Sequence, residues 1–397
     1  MTNSVLTKLP VAKIKLGQTI KIPLSWTEHP FFRSKRTIKS HADIELIKGL
    51  GITHVLAYAN PDDIIEKQTV AVAQPSAAPI VKAIDEGNAL KKQINQSQKR
   101  FNSCVTDCRT MLSKIITDPD GAYQLSASIV EQLIEPLFTA KQPILTMIDS
   151  NETTLSPVQY CISVAVISVL IAQKLSLDDK QIREIALGGI LHDYGKAKIP
   201  DSILRKRDEL TTSELNFYKL HPVYGVNALK ECQFISPTVL HIVGHHHEYL
   251  DGSGYPDKLS GKQIPIPTQI VSLAVEFNEL LLNDKFSTPQ AVLAYLFKNG
   301  IGRHGKELLS SLVKVIGVYP PGTLVSLSDG CIAKVITTAI DVKKPNVMAF
   351  SADEGASKMR ILERENCTIN KVINQEALSP ASVRSLNAQS PISFCIL

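Results

Sequence analysis

From Ala122 to Val318 the apolar residues keep a helical spacing, and no stretch there settles into the alternation of a strand. Roughly 200 residues patterned this way must fold as helices packed on helices, because each apolar stripe needs another element to cover it. The candidates are Ser126–Phe138, Pro157–Leu175, Lys180–His192, Thr212–Leu220, Val223–Cys232, Ser236–His247, Thr268–Leu282 and Pro289–Phe297. Asp178, Thr211 with Glu214, and Ser236 ahead of Pro237 are N-cap signals for three of them.

The regions on either side read differently. After Tyr319-Pro320-Pro321-Gly322 the period switches to two, over Leu324–Leu327, Ala333–Thr338 and Val347–Phe350, with a turn at Asp329-Gly330. Residues 319–352 are therefore expected to form a small β appendix, and the polar, irregular stretch 353–397 a loose tail. Residues 1–63 read as a small α+β domain. Its expected parts are a strand over Val11–Ile22 interrupted at Gly17, a short helix over Asp43–Leu50 and a strand over Thr53–Tyr58. Residues 64–121 hold an Ala/Pro/Val-rich linker, Val70–Pro79, and a long, mostly polar helix, Ile80–Ile116. Its sparse apolar positions suit a coiled coil or the arm of a homodimer. The expected fold class is mainly α, a helical bundle with a small α+β domain before it and a small β appendix after it.

Composition narrows the partners. The chain has 397 residues, 44 % apolar and 20 % charged, which suits two or three folded domains. The apolar run Val164–Ala172 is short of the ~20 residues that span a bilayer, and Met1–Thr19 has no apolar signal core. No membrane span and a cytoplasmic location are expected. A net charge of +5 is too mild for a DNA-binding surface. The seven cysteines are scattered without a CxxC pair, which argues against a disulfide framework or a structural zinc site.

Ten histidines occur, and six of them (His192, His221, His241, His245, His246 and His247) fall within 56 residues of the helical region. Taken singly, each is an ordinary buried histidine. Together with Asp193, directly after His192, they offer imidazole nitrogens and a carboxylate, a donor set suited to Fe, Mn, Zn or Ni. Gly195-Lys196 adds a tight turn and a cation, which can pair with a phosphate or a developing negative charge. Asp251-Gly252-Ser253-Gly254-Tyr255-Pro256 follows His247-Glu248, and its glycines permit backbone N–H groups to approach an anion.

These motifs resemble a known family. Leu191-His192-Asp193-Tyr194-Gly195-Lys196, with Ile199-Pro200-Asp201-Ser202-Ile203-Leu204, resembles the His-Asp signature of the HD superfamily. His246-His247-Glu248 with Gly254-Tyr255-Pro256 resembles its HD-GYP branch, and His221-Pro222 with Gly225 matches the segment between. The likeness runs from about Pro157 to Val318. Residues 8–60, with Leu24–Phe32 as the most telling stretch, resemble the small domain of unknown function often fused ahead of HD-GYP domains. The resemblance implies an HD-type helical bundle in a bacterial, intracellular protein. It implies hydrolysis of cyclic di-GMP to pGpG or GMP at a bi- or trinuclear site, most often of Fe or Mn.

It also implies a ligand set. His192, Asp193, His221, His246 and His247 fall on family ligands, with Asp193 bridging and Lys196 beside it as a catalytic group. Asp251, Gly252, Gly254, Tyr255, Pro256 and Lys196 fall on the substrate side. Two family ligands are replaced: the early His position holds Tyr160 and the late Asp position Val275, with Asn278 where a second Asp is usual. Where the family has an Arg–Tyr pair near a phosphate, this chain has Asn283-Asp284-Lys285-Phe286, and Lys285 is expected to stand in for the pair. One well-held ion on Asp193, His221, His246 and His247, and a weak or empty second site, are expected. A phosphodiesterase of reduced activity follows. The alternative is a silent sensor that binds cyclic di-GMP or a related cyclic dinucleotide, or a scaffold for a partner such as a diguanylate cyclase. His245 is a reserve ligand and His241 a structural residue.

Overall fold

The computed structural model describes residues 6–11, 14, 17–21, 35–38, 44, 47, 52–58, 78–140, 143–149, 155–206, 208–283, 285–351 and 355–397. They fall into two units, 1–76 and 77–397. The first carries a four-stranded antiparallel sheet in the order β1-β4-β2-β3, from β1 (Leu6–Pro10), β2 (Thr19–Lys21), β3 (Lys35–Thr37) and β4 (His54–Tyr58). Val11, Ile14, Ile20, Ile38, Ile47, Val55 and Ala57 form its core. Of the strand expected over Val11–Ile22, Thr19–Lys21 is the part that is strand among the described residues. Gly17 turns the chain at φ +83°, and its N–H donates to the Ile38 carbonyl. Of the expected helix Asp43–Leu50 only positions 44 and 47 are described, both helical. The telling stretch Leu24–Phe32 and residues 70–77 of the linker lie outside the described residues.

The second unit opens with two long helices, α1 (Ala78–Lys114) and α2 (Pro119–Thr139). The second half of α1 is not a projecting arm: Phe101, Cys104, Val105, Cys108 and Met111 are buried in the main core with Ile129, Leu133 and Ile134 of α2. Next comes β5 (Leu145–Asp149), a strand inside a region expected to be helical throughout. Then come α3 (Pro157–Lys174), α4 (Asp179–Leu191), α5 (Asp201–Leu204), α6 (Thr212–Tyr218), α7 (His221–Leu229) and α8 (Pro237–His245). The set closes with α9 (Ile266–Leu281), α10 (Pro289–Asn299), α11 (Ile301–His304) and α12 (Lys306–Ile316).

The caps form as expected. Asp178 accepts from Gln181 N–H (2.8 Å), Thr211 and Glu214 make a reciprocal capping box, and Ser236 accepts from Val239 N–H (3.3 Å). Helix α3 has the length and composition of a membrane span, but 72 % of it is buried inside this unit, as the central helix of the bundle. It is apolar all round because α4, α9 and α12 enclose it.

The stretch expected as a loose tail is folded. β6 (Leu324–Leu327), β7 (Ile332–Thr337), β8 (Asn346–Ser351), β9 (Ala356–Ile361), β10 (Ile369–Val372) and β11 (Ile392–Ile396) join β5 in a seven-stranded sheet, with α13 (Pro380–Ser385) between the last two strands. β11 pairs antiparallel with β5, Ile392 opposite Asp149 and Ile396 opposite Leu145. Phe394 is wholly buried, its ring 6.3 Å from that of Phe277 on α9, and its N–H donates to Ser163 Oγ on α3 (3.1 Å). The tail is held by a strand nearly 250 residues away, so its own sequence carries only weak local signals.

Candidate metal centre

Each candidate ligand sits at a helix end, where side chains project clear of the helix wall. His192 follows the last turn of α4, and Asp193 starts a 3-10 turn over Tyr194–Lys198. His221 is the first residue of α7, and His246-His247 follow α8. Gly195 lets these ends meet: a Cβ there would strike the His221 carbonyl and the Gly225 N–H. A bare backbone therefore brings the His-Asp turn against the first turn of α7.

The structure brings together His192, Asp193, His221, His246 and His247, as expected, with all four imidazoles buried. The Nδ1–H of His192, His221 and His246 donates to the carbonyl of Gly189 (2.8 Å), Tyr218 (2.9 Å) and Val243 (2.9 Å) respectively. A carbonyl can only accept, so each Nε2 is left with a bare lone pair. Those of His221 and His246 face one another at 3.1 Å, and Asp193 Oδ1 lies 3.5 Å from the first and 3.8 Å from the second. The Nε2 of His192 and His247 and Asp193 Oδ1 have no hydrogen-bond partner. Burial lowers the His221 pKa to about 4 and holds His246 and His247 well below an ordinary histidine, so protons do not fill this gap at neutral pH. Acceptors so placed repel one another unless a cation lies among them, and the donor set fits a divalent ion.

Burial works against the charge of Asp193, but the Lys196 ammonium beside it outweighs that cost and its carboxyl stays well below the usual range. Lys196 Nζ lies 2.7 Å from Asp193 Oδ2 and 5.3 Å from the centre of the Tyr218 ring. Burial disfavours its charge, yet Asp193 holds its pKa above that of a free lysine. Lys196 thus fixes Asp193 at the edge of the cluster.

The Gly-rich segment folds back on the histidines. A Cβ on Gly254 would lie 2.5 Å from the His247 carbonyl oxygen, and Tyr255 N–H donates to that same carbonyl (3.2 Å). The Tyr255 ring stacks on His247, centroids 4.6 Å apart and planes 18° apart. Tyr255 thereby orients one of the clustered histidines. The Tyr255–Pro256 peptide is cis, and Gly252 turns the loop at φ +76°. Asp251 accepts from the N–H (3.0 Å) and hydroxyl (2.6 Å) of Ser253, so it shapes the loop. Lys285 is exposed after α9, its backbone N–H bound to Asn283 Oδ1, and its ammonium makes no ion pair among the described residues. His245 is outside the cluster: its Nε2 pairs with Asp257 Oδ2 at 3.0 Å. His241 bonds Thr268 Oγ1 through Nδ1 (2.9 Å), a structural link between α8 and α9.

The departures have visible consequences. Val275 is buried and apolar, and Asn278 spends its amide on the Ala274 carbonyl of its own helix (2.7 Å). The Tyr160 ring stands 5.7 Å from His192, and its hydroxyl is buried without a partner. Burial, with Glu279 and Asp193 adding to it, keeps this phenol protonated. Two residues were missed from sequence. Cys161 offers its sulfur within 4.8 Å of donor atoms of His192 and Asp193. Glu279 lies one helical turn beyond Val275 on α9, and burial, only partly offset by Lys196, raises its pKa to about 7. An acid four residues after a lost acid, on an otherwise apolar helix face, was the available signal for Glu279. For Cys161 it was adjacency to Tyr160.

With this geometry established, two families match the chain: the HD domain over residues 133–300 and a domain of unknown function, DUF3391, over residues 6–124. The second match includes the whole of the long helix, which sequence reading placed in a separate linker region. Among curated proteins, Cyclic di-GMP phosphodiesterase PA4108 of Pseudomonas aeruginosa is 24 % identical over 343 residues, 83 % of this chain and 81 % of that one. The Cyclic di-GMP phosphodiesterase response regulator RpfG of Xanthomonas campestris is 43 % identical over 133 residues, 32 % of this chain and only 35 % of that protein. The 3'3'-cGAMP-specific phosphodiesterase 2 of Vibrio cholerae is 39 % identical over 100 residues, 25 % of this chain and 19 % of that protein.

Proposed function

The chain belongs to the HD-GYP branch of the HD domain family, with a DUF3391 domain before it, and on that premise we propose that it is a metal-dependent phosphodiesterase of reduced activity acting on cyclic di-GMP. The observation that carries the reading is the buried meeting of the His221 and His246 Nε2 lone pairs at 3.1 Å, with Asp193 and His247 beside them. Asp193, His221, His246 and His247 form one full ligand set, with Fe or Mn the expected ion. A bound ion would supply Lewis acidity and a water ionisable near neutral pH. The chain's own residues do the rest. The carbonyls of Tyr218 and Val243 fix two imidazoles, Tyr255 fixes a third, and Lys196 holds Asp193 ionised and adds positive charge where a phosphodiester arrives.

The reduced rate follows from Tyr160 and Val275, which stand where the family's second ion has ligands. With Mn(II), losing one Lewis acid costs several kcal/mol of transition-state stabilisation, or roughly three powers of ten in rate. The same two residues favour a second reading, a silent sensor that binds the dinucleotide without cleaving it, or docks a partner such as a diguanylate cyclase. The deciding experiment incubates the anaerobically purified chain with Fe(II) or Mn(II) and cyclic di-GMP, follows pGpG and GMP by chromatography, and measures binding in parallel. Slow, metal-dependent product formation supports the enzyme. Binding without product supports the sensor, and neither binding nor product refutes both. Parallel assays with 3'3'-cGAMP test the related substrate.

A further inference from the structure

We propose that Cys161, with His192 and Asp193, forms a second cation site in this pocket, one that takes thiophilic ions. Cys161 follows Tyr160 on the central helix α3 and is buried, and its sulfur shares with a donor atom of each of the other two a sphere in which every pair lies within 4.8 Å. Ligands on one tetrahedral ion at about 2.0–2.3 Å stand ~3.3–3.8 Å apart, so a movement of about an ångström closes the set. The second, independent sign is His192: its ring is wholly buried, its Nδ1–H is spent on Gly189, and its Nε2 is unpartnered. A buried acceptor without a donor is a costly feature that a cation removes.

Asp193 divides its oxygens between the two halves. Oδ1 faces His221 and His246 at 3.5 and 3.8 Å, while Oδ2 lies 3.4 Å from His192 Nε2 and holds Lys196. A carboxylate oxygen has lone pairs for both an ammonium and an ion. Asp193 therefore bridges two unlike sites, one of three imidazoles and a carboxylate, the other of thiolate, imidazole and carboxylate. The thiol gives its proton to solvent as the ion binds, and the sulfur selects Fe(II), Co(II) or Zn(II) over Mn(II) or Mg(II). With three protein ligands against four, it is the weaker site. The inference rests on reading the pocket as a metal centre, and not on the identity of the substrate.

Cobalt provides the test, since thiolate bound to Co(II) gives a near-ultraviolet charge-transfer band that imidazole and carboxylate do not. Metal-free full-length protein is titrated with Co(II), and separately with Mn(II), with metal content measured by elemental analysis. The expected result is two cobalt ions per chain with the band growing as the second binds, and one manganese ion per chain. Cys161→Ser is expected to abolish the band and reduce cobalt to one ion, while Cys108→Ser leaves both unchanged. Cobalt bound to the wild-type chain without the band overturns this assignment alone, as does a band that persists in Cys161→Ser. No cobalt binding at all overturns the metal-centre reading together with it. Because the first of these outcomes needs no variant, a folding defect in Cys161→Ser leaves the proposal falsifiable.

Discussion

Replacing Glu279 with glutamine is expected to stabilise the metal-free protein, and only above the acid range. Glu279 is half-buried within electrostatic reach of Asp193, and its pKa rises from 4.5 to about 7. Below pH 4.5 the group is protonated in both the folded and unfolded chain, and glutamine mimics it. Between pH 4.5 and 7 the unfolded chain loses its proton first, so the folded state binds more protons and stability falls as pH rises. Above pH 7 the full penalty is in place. At 1.36 kcal/mol per tenfold change it amounts to about 3 kcal/mol, trimmed to about 2–3 because part of the side chain reaches solvent. For a unit of this size that is roughly 4–8 °C in melting temperature. The assay is thermal unfolding of chelator-treated wild type and Glu279→Gln from pH 4.5 to 8.5. The gap should be near zero at the acid end, widen steadily from about pH 5 and level off a little above pH 7. A divalent ion added to the wild type should narrow it, because a nearby cation favours the charged carboxylate. A gap that is absent at pH 8, or constant with pH, would refute the argument.

Asp193→Ala is expected to abolish metal binding, since both halves of the pocket use its carboxylate, while His192→Ala retains one ion per chain. Equal loss by elemental analysis would contradict that division. The double variant Tyr160→His with Val275→Asp should raise manganese content from about one to about two per chain and increase turnover of cyclic di-GMP, with neither single change sufficing. An unchanged content in the folded double variant would assign exclusion of the second manganese to pocket shape. Gly195→Ala places a methyl group against the His221 carbonyl and the Gly225 N–H, and backbone cannot swing aside as a side chain can. A loss of about 3 kcal/mol or more is expected, with reduced metal content. An unaltered melting temperature would show that the turn relaxes freely.

The helical bundle and the clustered histidines were legible in the residues because both are written locally. A helix repeats its stripe within one turn, and Asp178, Thr211 and Ser236 announce their helices by cap chemistry that spans three residues. The candidate ligands His192-Asp193 and His246-His247 are likewise adjacent pairs, each fixed by the helix end it follows. What sequence alone left open depends on partners far along the chain. β5 and β11 read as fragments of a helical region and of a tail, since neither has a reason to be a strand until the other lies beside it. The polar length of α1 suggested an arm, yet the apolar residues of its second half, Phe101 to Met111, are buried in the same core as those of α2. Cys161 and Glu279 were passed over for the same reason: one residue or one turn from the expected ligands, they are unremarked along the sequence. Only the packing of α3 and α9 around the ends of α4 and α7 brings a thiol and a raised carboxyl to the pocket. Local periodicity and capping decide which segments become helices and where ligands project; which face meets which is a matter of burial summed over the whole domain, and that sum exists only once the chain is folded.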